Sequence, residues 1–96
     1  MAEKLNQESI EGWLEGRDGW KVKDDALVKR FEFPSWRDSI VFVNRLATIA
    51  DDHEHHPDID IRYDKVKVTL TTHDVGGLTE KDLTVAEQID FATSSR

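Results

Sequence analysis

Cysteine is absent from the 96 residues, which removes disulfide frameworks and thiolate metal sites from consideration. Proline occurs twice and glycine five times, too sparsely for a Pro-rich linker or a low-complexity architecture. Positive charge is in the minority: 13 Lys and Arg face 20 Asp and Glu, a formal charge of −7. Nucleic-acid binding needs Lys and Arg to neutralise phosphates, so this balance argues against it. The same acidity disfavours anionic membrane surfaces, but it says little about a neutral heterocyclic ligand. No apolar run approaches the roughly 18 residues that span a bilayer. The opening Met1-Ala2-Glu3-Lys4-Leu5 lacks the basic-then-apolar pattern of a signal peptide. These absences predict a cytoplasmic chain with no membrane and no nucleic-acid partner.

What is present fits one globular domain over residues 1–96, since chains of this length normally share one core. A chain this short buries a modest fraction of its surface, and oligomerisation commonly supplies the rest. A short helix is expected over residues 7–15, with Asn6 as N-cap, Leu5 and Ile10 as a hydrophobic staple, and Ile10, Trp13 and Leu14 inward. Trp20 and Val22 then alternate with Lys21 and Lys23, and Asp24-Asp25 turns the chain into a second strand. In that strand Leu27, Lys29, Phe31 and Phe33 share one side and Val28, Arg30 and Glu32 the other.

Pro34 ends the strand, and Ser35, with Asp38 as its third-position partner, caps a long helix from Trp36 through Asp52. Trp36, Ile40, Val43, Ala47 and Ala50 form one stripe on it, and Phe42, Leu46 and Ile49 widen the apolar arc to roughly 180°. A single sheet does not easily cover that arc. The excess reads as a subunit interface, the alternative being cover by a neighbouring loop or helix. A second hairpin follows: Ile59, Ile61 and Tyr63 alternate with polar residues, Asp64-Lys65 turns, and Val66, Val68 and Leu70 alternate again. Gly76-Gly77 breaks the chain before a last helix capped by Thr79, with Leu78 and Leu83 as staple and Leu83, Ala86 and Ile89 buried. The segment from Thr93 to Arg96 is expected to fray. The runs resolve as an α+β fold, a ββαββα core with a four-stranded antiparallel sheet and helices on one face, preceded by an N-terminal helix.

All four histidines fall within 21 residues: His53, His55 and His56 before Pro57, then His73. Imidazole gives and takes protons near neutrality. Pro57 biases His56 towards extended backbone, and the hairpin returns the strand ending near His73 to the same sheet end. Two other readings stand beside this one. His53 on an acidic loop can be merely solvated. The run Asp51-Asp52-His53-Glu54-His55-His56-Pro57-Asp58 also looks like a metal loop, although its spacing matches no standard zinc motif.

The array Asp51, three residues, His55-His56-Pro57, five residues, Tyr63, nine residues, His73, eight residues, Asp82 resembles the signature of the pterin-4a-carbinolamine dehydratases. Gly19-Trp20, Tyr63-Asp64-Lys65-Val66, Thr72-His73 and Gly77-Leu78-Thr79 are similar as well, so the resemblance runs from about Leu5 to Ala92. It implies a four-stranded antiparallel sheet, dimers or tetramers, a pterin substrate, and dehydration of a 4a-hydroxy-tetrahydropterin to a quinonoid dihydropterin in tetrahydropterin recycling. It implies no metal and no organic cofactor. Carried onto this chain it makes His55, His56, His73 and Asp82 catalytic. Glu54, His55, His56, Thr71, Thr72, His73, Asp74 and Trp20 are expected to bind substrate, and Asp51 to orient a ring. Asp51, Glu54 and Lys81 stand where the family more often has Glu, Asp and Arg. Asp82 has a second reading as a helix-start carboxylate, and Trp20 as a core aromatic; Tyr63 is expected to pack at its hairpin.

The intact histidine set favours an enzyme, a hydro-lyase, over two rivals. One is a protein-interaction module of transcriptional coactivator type, using the same helix that drives oligomerisation. The other is a related pterin dehydratase of molybdopterin metabolism. The resemblance and the wide arc together predict a homodimer or homotetramer through the helix from Trp36 to Asp52 and the sheet edges.

Overall fold

Alternating apolar and polar residues become four strands, β1 (Lys21–Lys23), β2 (Ala26–Glu32), β3 (Asp58–Arg62) and β4 (Lys65–Leu70). The computed structural model, which describes residues 3–94, joins them in one antiparallel sheet of order β1-β2-β4-β3. Each hairpin pairs its own strands, and β2 pairs β4 at the centre, with Leu27 opposite Leu70 and Phe31 opposite Val66. This is the expected ββαββα order with its N-terminal helix. Leu27, Phe31, Phe33, Val66, Val68 and Leu70 face inward and are buried, as the alternation predicts.

The turns follow from short loops in a twisted sheet. Asp24 and Asp25 both lie in the left-handed region, at φ 52° and 62°, as a two-residue turn of mirror-image type requires. Aspartate tolerates that conformation better than most residues. The second turn sits one residue earlier than expected: Arg62 pairs with Lys65, so Tyr63-Asp64 make the loop. Either placement keeps Ile59 and Ile61 on the side of Val66 and Val68. The observed one lets the Phe33 N–H bond the Asp64 carbonyl at 2.9 Å, extending β2 onto the turn. Tyr63 consequently projects from the hairpin tip, 70% exposed, with φ 56°, instead of packing there.

Three helices cover one face of the sheet. Helix α1 (Gln7–Leu14) starts at Asn6, whose side chain accepts the Ser9 N–H at 2.8 Å. Leu5, Ile10, Trp13 and Leu14 pack against the core from its rim. Helix α2 (Trp36–His53) starts at Ser35, which accepts the Asp38 N–H. The Ser35 hydroxyl donates to the Asp38 carboxylate at 2.9 Å, so the pair is closed side chain to side chain. Helix α3 (Glu80–Ser94) buries Leu83, Ala86 and Ile89 as expected, and Val85 besides. Thr93 belongs to α3, its hydroxyl bonding back to Ile89 and Asp90, so the expected fraying does not begin there; residues 95 and 96 lie outside the described residues, as do Met1 and Ala2.

Two carboxylates pin the other elements to α3. Glu87 accepts from the Trp13 indole and the Arg17 guanidinium, both at 2.9 Å. Asp90 accepts from the Trp20 indole and the Lys29 ammonium, both at 2.8 Å. A run of ring contacts, Trp13–Trp20–Phe31–Phe42–Phe33, crosses the core between them.

The arc of α2 divides differently from its first reading. The widening residues Phe42 and Leu46 are the core residues, at 4% and 1% exposure, joined by Ala50. The primary stripe divides: Trp36 is 50% exposed and Ala47 is exposed, Ile40 is half-buried, and the half-buried Val43 packs against the margin of the core. The reason is the helix's approach to the sheet, where Phe42 fits between Phe31 and Phe33 at centroid distances of 4.7 and 4.9 Å. Leu46→Ala should therefore cost about 2–5 kcal/mol of unfolding free energy in urea, as a core truncation. Arg37→Ala on the exposed side should stay within about 0.5 kcal/mol.

Candidate functional site

The chain leaves α2 through a tight left-handed exit. Glu54 sits at φ 51°, its N–H bonding the Asp51 carbonyl at 3.2 Å, while the His55 N–H reaches the Ala50 carbonyl at 3.0 Å. This pair of bonds is a Schellman closure, normally made with glycine or asparagine at the left-handed position. Glutamate there carries backbone strain of about 1–2 kcal/mol, held by the two bonds and by Pro57 just beyond. Such strain is common where a side chain must be aimed, and the next two residues are His55 and His56.

The other half of the site comes from the end of β4. Asp58 pairs with Thr69, so continuing the antiparallel register brings the 55–57 segment alongside residues 70–72. Thr72 then closes a compact loop: its N–H bonds the Gly77 carbonyl at 2.9 Å, and its own carbonyl accepts from Val75 and Gly76. His73–Val75 form a single 3-10 turn in that loop, presenting His73 and Asp74 to solvent. The Lys4 side chain lies across Gly77, and a Cβ there would stand 2.5 Å from Lys4 Cε and push that side chain aside.

Asp82 joins the two halves. It is fully buried on the first turn of α3, and its Oδ2 accepts the Thr79 N–H at 2.9 Å and the Thr72 hydroxyl at 2.8 Å. Its Oδ1 lies 2.6 Å from Nε2 of His55, whose side chain is 11% exposed. In one geometry, then, Asp82 closes a helix start with Thr79 and grips a histidine ring. A carboxylate only accepts, so Nε2 carries the proton of that bond. His56 has a looser partner: its Nε2 lies 2.9 Å from Asp51 Oδ1 at an exposed position. The single methylene by which Asp51 is shorter than glutamate does not prevent this contact.

The remaining candidates sort by what they touch. Thr71 gives its hydroxyl to the Asp25 carbonyl at 3.0 Å and, more weakly, to Gly77. Glu54, His56, His73 and Asp74 are exposed, Glu54 and His56 flanking His55 in the chain and His73 and Asp74 following Thr72. Trp20 is 4% exposed, edge-on to Trp13 and Phe31 and hydrogen-bonded to Asp90, which is the placement of a core aromatic. It also borders a cavity of about 670 Å³ between α1 and β1, walled by Leu5, Ile10, Leu14 and Leu78 and touched by no histidine. The metal-loop reading finds no assembled ligand set: among the described residues no three His, Cys, Asp or Glu converge. The imidazoles of His55 and His56 are instead each turned to a separate aspartate. Sequence reasoning missed the bond between Thr72 and Thr79, 2.9 Å, whose signal was two threonines at the ends of a Gly-Gly loop.

This arrangement has known counterparts. The sequence pattern of the family described as "Pterin 4 alpha carbinolamine dehydratase" matches residues 3–92. Bacterial relatives provisionally named as pterin-4-alpha-carbinolamine dehydratases include one from Thermosynechococcus vestitus, 47% identical over 93% of this chain and 94% of its own length. Another, from Aquifex aeolicus, is 41% identical over 94% of this chain and 91% of its own. Among solved structures, a transcriptional coactivator/pterin dehydratase from Brucella melitensis superposes with a TM-score of 0.87 at 30% identity, covering 92% of this chain and 96% of that one. A pterin dehydratase-like RuBisCO assembly factor of the alpha-carboxysome reaches 0.61 at 28% identity, over 74% of this chain and 82% of that one. The chain thus has the α+β fold of pterin dehydratases. It belongs to the pterin-4-alpha-carbinolamine dehydratase family. No helix among the described residues is long and apolar enough to cross a membrane.

Removing the Asp82 carboxylate strands three donors at once. Asp82→Ala should cost about 3–5 kcal/mol in urea unfolding, the range for breaking a buried charged pair. A loss below about 1 kcal/mol would mean that water replaces the carboxylate with little penalty.

Proposed function

We propose that this chain is a hydro-lyase acting on a 4a-hydroxy-tetrahydropterin, releasing water and a quinonoid dihydropterin in tetrahydropterin recycling. The observation that carries this reading is the buried Asp82–His55 pair at 2.6 Å, with the exposed Glu54 and His56 flanking His55 in the chain and the exposed His73 and Asp74 following Thr72, whose hydroxyl bonds the same carboxylate. The reaction needs an acid at the C4a oxygen and a base for the proton of the adjacent ring nitrogen. The C–O bond breaks as the oxygen leaves with the acid's proton as water. The nitrogen's lone pair closes the C=N bond as the base takes its proton, so charge and protons balance. Two imidazoles in different protonation states perform both transfers near neutral pH.

In this reading His55 and His73 are the transfer groups, and Asp82 holds His55 so that Nδ1 faces the exchange. His56, steadied by Asp51, holds the pterin, and Glu54, Thr71, His73 and Asp74 line its site. The chain acts in the cytoplasm as one domain and uses neither metal nor organic cofactor. Its assembly is a dimer or tetramer through the outward stripe of α2 and the free edge of β3, where Trp36 is 50% and Ile59 37% exposed. That surface also suits a protein partner, the rival role that the name of the Brucella melitensis relative parallels.

A stopped-flow dehydration assay with chemically generated 4a-hydroxy-tetrahydropterin, corrected for the uncatalysed reaction, tests the enzyme. His55→Ala and His73→Ala should lower the catalysed rate by about 10²–10⁴-fold, the range for general acid–base groups. His53→Ala should change it little, and prolonged chelation should leave it intact. Near-normal rates in folded His55→Ala and His73→Ala variants would refute the mechanism. For assembly, Ala47→Asp on the exposed side of α2 should yield monomers by sedimentation, because an unpaired carboxylate buried between subunits costs on the order of several kcal/mol.

A further inference from the structure

Thr72 is expected from the sequence to line the substrate site, yet its side chain is buried and its only hydroxyl proton is turned inward to Asp82. The residue is 8% exposed, its hydroxyl donates to Asp82 Oδ2 at 2.8 Å, and the same oxygen meets the Thr79 hydroxyl at 2.9 Å. Because the Thr72 proton is committed to Asp82, the proton between the two threonines must come from Thr79. Thr79 Oγ1 in turn accepts the Lys81 N–H at 3.3 Å, so each hydroxyl both donates and accepts. A one-way chain of donors therefore runs from the Lys81 N–H through Thr79 and Thr72 to the Asp82 carboxylate, into which His55 Nε2 donates from the other side.

From this chain we infer that Thr72, backed by Thr79, is a positioning residue that acts on His55 through Asp82. The inference rests on the acid–base role proposed for His55, but the geometry it predicts is a property of the free protein. Asp82 has two oxygens and could rotate about its terminal bond. The Thr79 N–H and the Thr72 hydroxyl together fix Oδ2, which leaves Oδ1 aimed at Nε2 of His55. A fixed carboxylate keeps the proton on Nε2 and selects one tautomer, with Nδ1 as the working atom. The hydroxyl chain also polarises towards the carboxylate, since hydrogen bonds in series strengthen one another inside a protein. Thr71, one residue earlier, has no part in this: its hydroxyl braces the β1–β2 turn and the Gly77 carbonyl.

The test compares Thr72→Val, nearly the same shape without the hydroxyl, with Thr72→Ser, which keeps the hydroxyl. In the substrate-free protein, ¹⁵N shifts of the His55 ring should show protonation at Nε2 for wild type and Thr72→Ser. In Thr72→Val the ring should become a mixture of tautomers. With the hydroxylated pterin, Thr72→Val should lower kcat by about 10–100-fold with KM nearly unchanged, the cost of misplacing a reacting group, and Thr72→Ser should recover most of it. If Thr72→Val does not fold, Thr79→Val, which leaves the Thr79 N–H on Asp82, should produce a smaller shift of the same kind. Unaltered ¹⁵N shifts in a folded Thr72→Val protein would overturn the inference. So would a raised KM at constant kcat, which would mark Thr72 as a substrate contact. A tautomer change in a protein whose wild type dehydrates no pterin would instead sustain the positioning role and sink the functional reading.

Discussion

The site depends on one buried carboxylate. Asp82 has no exposed surface, and burying such a group unpaired would cost on the order of several kcal/mol. Here its two oxygens take a backbone N–H, a hydroxyl and an imidazole. Those donors come from three places that are distant in sequence: the start of α3, the end of β4 and the exit of α2. None of the three can shift without stranding the others. A residue that first looks like a helix cap is thus also the joint by which α3 registers the sheet end against the histidine loop.

The strained exit of α2 has a matching logic. A glycine at position 54 would relieve the left-handed backbone, but it would also leave the adjoining histidines on a more pliable tether. Pro57 limits the far side, and pairing of Asp58 with Thr69 anchors the start of β3. The segment between Asp51 and Asp58 is therefore short, clamped at both ends and aimed. Ring orientation is then divided between a buried partner for His55 and an exposed one for His56. Water competes strongly with the second bond and hardly at all with the first, because side-chain exposure is 65% and 77% for the His56–Asp51 pair against 11% and 0% for His55–Asp82. Two imidazoles on adjacent residues are placed in different dielectric surroundings, the usual means of giving like groups unlike roles.

Much of this was legible in the sequence because it is local. Alternation gave the strands, and Asn6, Ser35 and Thr79 gave the helix starts. The hairpin arithmetic correctly brought the His55-His56-Pro57 segment to the end of β4. The illegible part is non-local. The Asp64-Lys65 turn and the Tyr63-Asp64 turn satisfy the same hydrophobic period, and only the Phe33–Asp64 bond separates them. The packing side of Trp20 could not be read from its strand position, since its indole partner Asp90 lies 70 residues on. Likewise nothing in the Thr72 side chain itself distinguishes a hydroxyl that greets substrate from one that faces a buried carboxylate.

On α2 the hydrophobic period is ambiguous and side-chain volume replaces it. A helix with apolar residues over half its circumference has two candidate core faces, and periodicity weights both alike. Size decides between them. Phe42 and Leu46 fill the space over a sheet already lined by Phe31, Phe33 and Val66, which the smaller Val43 and Ala47 would leave partly empty. The face left outside therefore has the small Ala47 near the half-exposed Trp36, with the half-buried Val43 between that face and the core. A small central residue lets a second helix approach closely, and a large aromatic at the end covers the flank. The same volume rule that selects the core thus leaves the small Ala47 on the outer face of α2, the face that the proposed assembly uses.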